Sequence, residues 1–337
     1  MARKTIDDVA ALAGVSIKTV SRVLNDEPSV RPDTRGRVED AMAALNYQPS
    51  LPARSLAGRR SNLIGLVYEN PSANYVFDVQ SGAMARCREG KLRLFIQSCN
   101  GLGDQLIGEV LAMIEQTHVD GLVVTPPLSA NRALIALLER QGLPFVRIGP
   151  DEADFDSPAV VIDDVAAAKA MTDYLLDLGH ERIGFITGHP EHGSSHLRKD
   201  GYRRAFEARG SIAPEDLTEQ GYNTAASGRE AALLLLRRAD RPTAIFASND
   251  DMAAGVVLAA HELGLDVPAD LSVAGYDDTQ LATIVWPTLT TIHQPTYNMS
   301  HAATGLLIDL IRGNEVPRVT RLDFTMQKRG STAPPKQ

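Results

Sequence analysis

Thr5-Ile6-Asp7-Asp8-Val9-Ala10-Ala11-Leu12-Ala13-Gly14-Val15-Ser16-Ile17-Lys18-Thr19-Val20-Ser21-Arg22-Val23-Leu24-Asn25 holds the signals for two short helices and the turn between them. Thr5 with Asp8 reads as a capping box, the hydroxyl and the carboxylate each satisfying a first-turn N–H. Ile6, Val9, Ala10 and Ala13 then form one apolar stripe. Gly14 supplies the left-handed residue that ends the helix, and Ser16 caps the next. There Val20, Val23 and Leu24 face inward at helical spacing, which leaves Ile17, Lys18, Ser21, Arg22 and Asn25 outward. Pro32 suits a first helical turn and opens a third helix that runs through Val38, Met42 and Leu45 to Asn46.

Two short helices about a Gly turn, completed by a third, make an all-α helix-turn-helix headpiece. Its second helix is the right size for a major groove. Arg22 can pair bidentately with guanine, Lys18 can reach guanine or phosphate, and Ile17 can touch a thymine methyl. Ser16, Thr19, Ser21 and Asn25 suit phosphate oxygens, and Thr5 stands with them at the head of the first helix. The competing reading is a small helical bundle with a solvated polar face. Turn, caps and basic face agree on the groove.

Charge divides the chain in the same way. Residues 1–60 carry ten Lys/Arg against seven Asp/Glu, a net +3, so the remainder holds −11 of the overall −8. A small basic end on a large acidic body fits one part that meets phosphate and another that stays off it. The 337 residues suffice for two or three domains. Met1-Ala2-Arg3-Lys4 leads straight into a patterned helix without a signal-peptide core, and no apolar run approaches a membrane span. Cys87 and Cys99 have neither metal nor redox spacing and read as reduced thiols, so the expected compartment is the cytoplasm.

From Ser61 onward strand-like runs alternate with amphipathic stretches. The strands are Leu63–Tyr68, Leu92–Gln97, Gly121–Thr125, Pro144–Ile148, Ala159–Ile162, Arg182–Thr187, Ala244–Ala247 and Leu271–Gly275. The helices are Asp104–Glu115, Asn131–Gln141, Val165–Leu178, His196–Arg209, Ser227–Arg238 and Asp251–Leu263. This alternation predicts doubly wound parallel α/β sheets, and the length favours two lobes with a cleft between them. Ligands of such lobes sit outside the carboxyl ends of the strands. By position that selects Asn249, Asp277 and the 68–75 loop with Tyr75. A polyol needs acceptors and donors on adjacent hydroxyls: Asp277 and Asn249 supply acceptors, Arg198 a planar donor fork, Gln294 both. The plainer alternatives are a helix cap for Asn249 and a turn for Asp277.

The quoted headpiece resembles that of the lactose-repressor (LacI/GalR) family of transcription regulators nearly residue for residue. So do Leu45-Asn46-Tyr47-Gln48-Pro49 and Ala53-Arg54-Ser55-Leu56. The likeness continues through Ala247-Ser248-Asn249-Asp250-Asp251-Met252-Ala253, Val273-Ala274-Gly275-Tyr276-Asp277-Asp278-Thr279 and Leu289-Thr290-Thr291-Ile292-His293-Gln294-Pro295, to about Arg329. It implies a periplasmic-binding-protein-like sensor with three crossovers between its lobes. It also implies a hinge helix beside Arg54 that levers Leu56 into the minor groove as a kinking wedge, with Ser50 capping it so that Pro52 falls in the first turn. Family members use the positions of Arg198, Asn249 and Asp277 in the cleft. Asn223 stands where an aromatic ring often packs on the sugar, so Tyr75, Phe77 or Trp286 is left to form that wall.

The expected organisation is a headpiece over 1–48, a hinge over 49–60, a sensing and dimerising body over 61–330, and a disordered tail over 331–337. Lobe one takes about 61–161 plus 293–323, and lobe two about 162–292 plus 324–330. His189, His192 and His196 catch the eye, but no carboxylate or thiol completes a metal site, and they read as a solvated loop or cleft rim. No phosphate loop, dinucleotide fingerprint or nucleophile elbow occurs, so no cofactor and no enzymatic activity is expected. The reading is a homodimeric repressor on pseudo-palindromic operator DNA, controlled allosterically by a mono- or disaccharide and free of membrane. The alternative is a sugar-binding or sugar-processing α/β protein with accessory N-terminal helices. Prolines and a glycine near the C-terminus exclude a tetramerising coiled coil there.

Overall fold

The computed structural model describes residues 4–24, 27, 29–47, 60–99, 104–150 and 156–336. Contacts divide the chain into one unit of Met1–Leu63 with Thr117–Asp120, and another of Ile64–Gln116 with Gly121–Gln337.

In the smaller unit, α1 (Ile6–Ala13), α2 (Ile17–Leu24) and α3 (Pro32–Ala44) begin and end where local chemistry directs. Thr5 N–H donates to Asp8 Oδ2 at 2.8 Å and Asp8 N–H to Thr5 Oγ1 at 3.4 Å, closing the capping box. Gly14 terminates α1 at φ +65°. Ser16 Oγ accepts from Thr19 N–H at 3.2 Å and so caps α2. Val9, Ala13, Val20, Val23, Val38 and Tyr47 close a core between the helices. That core is small, as expected of a unit this short.

The larger unit contains two six-stranded sheets. The first runs in the order β11 (Val319–Arg321), β5 (Ala159–Val161), β4 (Phe145–Ile148), β3 (Gly121–Val124), β1 (Leu63–Tyr68), β2 (Arg93–Ser98). The second runs β12 (Thr325–Gln327), β10 (Thr290–His293), β9 (Ser272–Asp277), β8 (Ala244–Ala247), β6 (Ile183–Thr187), β7 (Thr218–Gln220). β12 is antiparallel to β10, while β6, β8, β9 and β10 pair in parallel. Central strands such as β3, β8 and β9 are buried along their whole length, which explains their unbroken apolar runs. The chain passes from one sheet to the other after β5, after β10 and again after β11. No helix among the described residues is long and apolar enough to cross a membrane.

Helices cover the sheets: α4 (Ala73–Glu89), α5 (Asp104–Thr117), α6 (Arg132–Gln141), α7 (Asp164–Asp177), α8 (Gly193–Glu207), α9 (Ala225–Leu236), α10 (Asp250–Glu262), the short α11 (Leu281–Ile284) and α12 (Thr296–Arg312). The α9 and α10 backbones approach so closely that a Cβ on Gly255 would strike the carbonyl of Ala225. Sequence reading omits α4, the short α11 and α12, and it omits β7, β10, β11 and β12. Three of those strands have only three residues, too few to display a period. The fourth, β10, carries Thr290 and Thr291 fully buried, where polarity masks burial.

The tail departs from expectation. Residues 331–336 are packed on the second lobe rather than disordered. Ser331 Oγ accepts from Thr290 N–H at 2.8 Å and donates to Val273 O, while Val273 N–H donates to Ser331 O at 2.8 Å. Ala333 O lies 2.9 Å from His180 Nε2. Prolines exclude a helix there, but they do not prevent an extended segment from pairing with backbone groups at the beginnings of β9 and β10.

Candidate functional site

In the smaller unit, α2 presents one solvent face. Val20 and Val23 are buried, whereas Ser16, Lys18 and Arg22 are exposed and Ile17 is 48% exposed. Thr19 and Ser21 are half-buried beside them. An exposed isoleucine among cations gives a folded monomer nothing, but it fits a surface made to touch base edges. Arg22 Nε lies 3.5 Å from Glu27 Oε2, an exposed pair of little worth that can be exchanged for another partner. Thr5 is exposed and its hydroxyl is held by Asp8 at 3.2 Å. Its hydrogen bonds hold the Asp8 carboxyl below the usual range. Asn25, Arg54 and Leu56 lie outside the described residues, and with them the hinge.

Within the larger unit a polar cleft of about 600 Å³, counting its open mouth, lies between the carboxyl ends of the two sheets. Its floor is Arg198, carried by α8 and only 8% exposed. The guanidinium Nε donates to Asp164 Oδ1 at 2.8 Å, Nη1 donates to Ser248 O, and Nη2 donates to Gln294 Oε1 at 2.9 Å. Asp277 Oδ1 lies 3.7 Å from Nη1. The Tyr276 ring lies beneath, its centroid 3.6 Å from Arg198 Cζ, and its hydroxyl donates to Asp164 Oδ1 at 2.8 Å. Burial works against the charge, but Asp164, Tyr276 and Asp277 outweigh it and the Arg198 pKa rises. Burial pushes the Asp277 carboxyl well above its ordinary range, with Arg198 opposing.

Asp277 reaches the cleft because β9 ends in two aspartates with positive φ, +106° at Asp277 and +58° at Asp278. Asp277 sits in strained backbone. Asp278 turns the other way, 2.6 Å from Arg329 Nη2 and 3.1 Å from His293 Nδ1.

Asn249 both lines the cleft and caps α10, its Oδ1 accepting from Met252 N–H at 2.9 Å. Its Nδ2 donates to Asn223 O at 3.2 Å. Asn223, at φ +59°, sets its own Nδ2 3.3 Å from His192 Nδ1. Burial lowers the His192 pKa to about 4, so the ring is neutral, accepts at Nδ1 and carries its proton on Nε2. Tyr75, from the first turn of α4, brings an aromatic ring to the opposite wall. The structure therefore places Tyr75, Arg198, Asn223, Asn249, Asp277 and Gln294 around one cavity.

Trp286 is not among them; it is 86% exposed. It lies in the short segment that leads into β10, which runs parallel to β9, so it stands toward the amino ends of these strands while Asp277 lies at their carboxyl ends. Phe77 is likewise outside, at 68% exposure. Of the two readings of the histidine loop, solvated loop or cleft rim, His192 departs from the first: it is 5% exposed and forms part of the cleft wall. Asp164 was overlooked too. It lies just beyond β5, and the rule that selected Asn249 and Asp277 would have reached it.

A helix-turn-helix unit joined to a two-lobed body with a polar interlobe cleft defines a DNA-binding transcription regulator that answers to a small molecule. Residues 5–50 match the family model of bacterial regulatory proteins, lacI family, and residues 172–332 match a periplasmic binding protein-like domain. The HTH-type transcriptional repressor PurR of Proteus mirabilis is 36% identical over 91% of this chain and 90% of its own length. Among solved structures, the lac repressor dimer bound to operator and the anti-inducer ONPF superposes with a TM-score of 0.85, at 30% identity, over 98% of this chain and 100% of that one. The transcriptional regulator CelR in complex with cellobiose gives 0.75 at 30% identity, over 98% and 100%. The chain belongs to the LacI family of bacterial transcription regulators. It is a DNA-binding repressor whose effector is a small molecule.

Proposed function

We propose that the protein acts in the cytoplasm as a homodimer on a pseudo-palindromic operator and binds a neutral mono- or disaccharide in the cleft without turning it over. Ile17, Lys18 and Arg22 read base edges; Ser16, Thr19 and Ser21 hold phosphates. The observation that carries the sugar reading is the Arg198 floor. Its fork is already occupied by Asp164 at 2.8 Å, Ser248 O and Gln294 Oε1, so an ionic ligand gains little from it. Around it stand carboxamide and carboxylate groups of Asn70, Asn249, Asp277 and Gln294, able to give and accept hydrogen bonds to adjacent hydroxyls. Among the described residues Tyr75 and His192 are the only aromatic rings on the lining, which disfavours a ligand that must be stacked on both faces. The cellobiose held by the structurally similar CelR supports the same class.

A thermal-shift screen of the full-length protein against mono- and disaccharides, with purine bases as the rival set, tests this. A sugar bound at one hundred times its Kd stabilises by about 2.7 kcal/mol, and the same sugar is expected to alter operator affinity in a gel shift. A purine that raises the melting temperature where no sugar does would overturn the sugar assignment.

A further inference from the structure

Ser72 and Asp251 belong to different lobes and meet at the edge of the cleft. Ser72 follows β1 of the first sheet and caps α4, accepting from Tyr75 N–H at 3.4 Å. Asp251 lies in the first turn of α10, which follows β8 of the second sheet. Ser72 Oγ donates to Asp251 Oδ2 at 2.5 Å, a charge-assisted contact at the short end of its class. Ser72 is 2% exposed, so little water competes for it.

Both ends are held in place by their own lobes. Ser72 N–H donates to Asn70 Oδ1 at 2.9 Å. One residue before Asp251, Asp250 Oδ2 accepts from Thr279 N–H at 2.8 Å, and its Oδ1 accepts from Thr291 Oγ1 at 2.7 Å. The Asp251 carboxylate also faces the amino end of α4, where the helix dipole favours negative charge. Asn70, Ser72 and Tyr75 line the cleft from one lobe and Asn249 from the other, so this one bond joins the two walls that a ligand must touch.

We propose that Ser72 and Asp251 form an interlobe latch that holds the cleft closed before any effector arrives. The bond makes closure a property of the free protein, and an effector then acts on a population already weighted toward the closed form. The functional meaning rests on the reading of this cleft as the effector site. The latch is made of protein groups alone and is tested in effector-free protein.

A hydrogen bond to a charged group corresponds to about a tenfold change in the ratio of closed to open molecules. Interlobe distance can be read by pulsed electron spin resonance in full-length, effector-free protein. Nitroxides are placed at Glu139→Cys and Glu230→Cys, both exposed, with unlabelled chain in excess so that only pairs within one chain report. Cys87 and Cys99 are buried and their thiols are pushed up to about 11 and about 12, so they do not compete for label. Ser72→Asp keeps a cap on α4 but sets a second carboxylate against Asp251, and is expected to raise the open fraction about tenfold or more. Asp251→Ala is expected to do the same through the other partner. The double substitution Ser72→Ala with Asp251→Ala should open the cleft no further than Asp251→Ala alone. Distance distributions in Ser72→Asp and Asp251→Ala that match the parent would overturn the latch, and so would additive opening in the double variant. Failure of every sugar and base in the ligand screen would sink the effector reading but leave these distances as they are.

Discussion

Asp250 offers a quantitative test of how the second lobe is built. Its carboxylate is fully buried, accepts from Thr279 N–H, Thr279 Oγ1 and Thr291 Oγ1, and lies against Gly275, where a Cβ would collide with it. Burial pushes its pKa up to about 7, with the threonine hydrogen bonds pulling the other way. In the unfolded chain the same group titrates at about 3.9. Between these values the folded form keeps a proton that the unfolded form has lost. The stabilisation is therefore complete below about pH 4, declines as pH rises toward 7, and is absent above it. At about 1.4 kcal/mol per pH unit, the total is on the order of 4 kcal/mol, of which about 3 falls between pH 5 and 8. Asp250→Asn mimics the protonated acid: its carbonyl can accept from Thr279 and its amide can donate to Thr291 Oγ1. Urea unfolding followed by circular dichroism at the two pH values, variant against parent, cancels every other titration. The variant is expected to gain about 3 kcal/mol on the parent from pH 5 to pH 8. An equal difference at both pH values would refute the argument, because Asp250 would then ionise in the fold as easily as in water.

Arg22→Ala should cost about 1–3 kcal/mol of operator binding at one base position per half-site; uniform weakening across all operator sequences in a gel shift would make Arg22 a phosphate contact instead. Deleting the chain from Ser331 onward removes partners of Val273 N–H, Thr290 N–H and His180. It should lower the stability of the second lobe by about 2–4 kcal/mol, and an unchanged melting temperature would show the packed tail to be incidental. Sedimentation of the full-length protein at micromolar concentration should give a dimer, since one headpiece covers too little DNA for useful specificity; a persistent monomer would contradict the operator reading.

Legibility in the sequence followed the range of the forces involved. The capping box of Thr5 with Asp8, the left-handed Gly14 and the Ser16 cap act across three or four residues, so the headpiece was written in adjacent letters. The strands of the body were legible for a related reason, because a strand buried on both faces must be an unbroken apolar run. Asn249 and Asp277 could be selected because the carboxyl ends of such strands are where a crevice forms. Local chemistry was misleading where a residue's neighbours come from far along the chain. Trp286 suited a sugar wall by composition, but the parallel pairing of β10 with β9 places it at the opposite end of the sheet. Two prolines near the end suggested disorder, yet backbone groups at the beginnings of β9 and β10 supplied their segment with partners.

The sequence by itself determined the helix-turn-helix, the outward face of α2, the α/β class of the body and most of the polar residues of the cleft, because periodicity and capping are properties of neighbours. Only the tertiary structure decided that Asp164 and Tyr276 hold the Arg198 fork and that His192 stands neutral in the wall. It alone brings Ser72 to Asp251 across 179 positions. Those contacts depend on strand order and on three passages between the sheets, and no spacing within a single element encodes them.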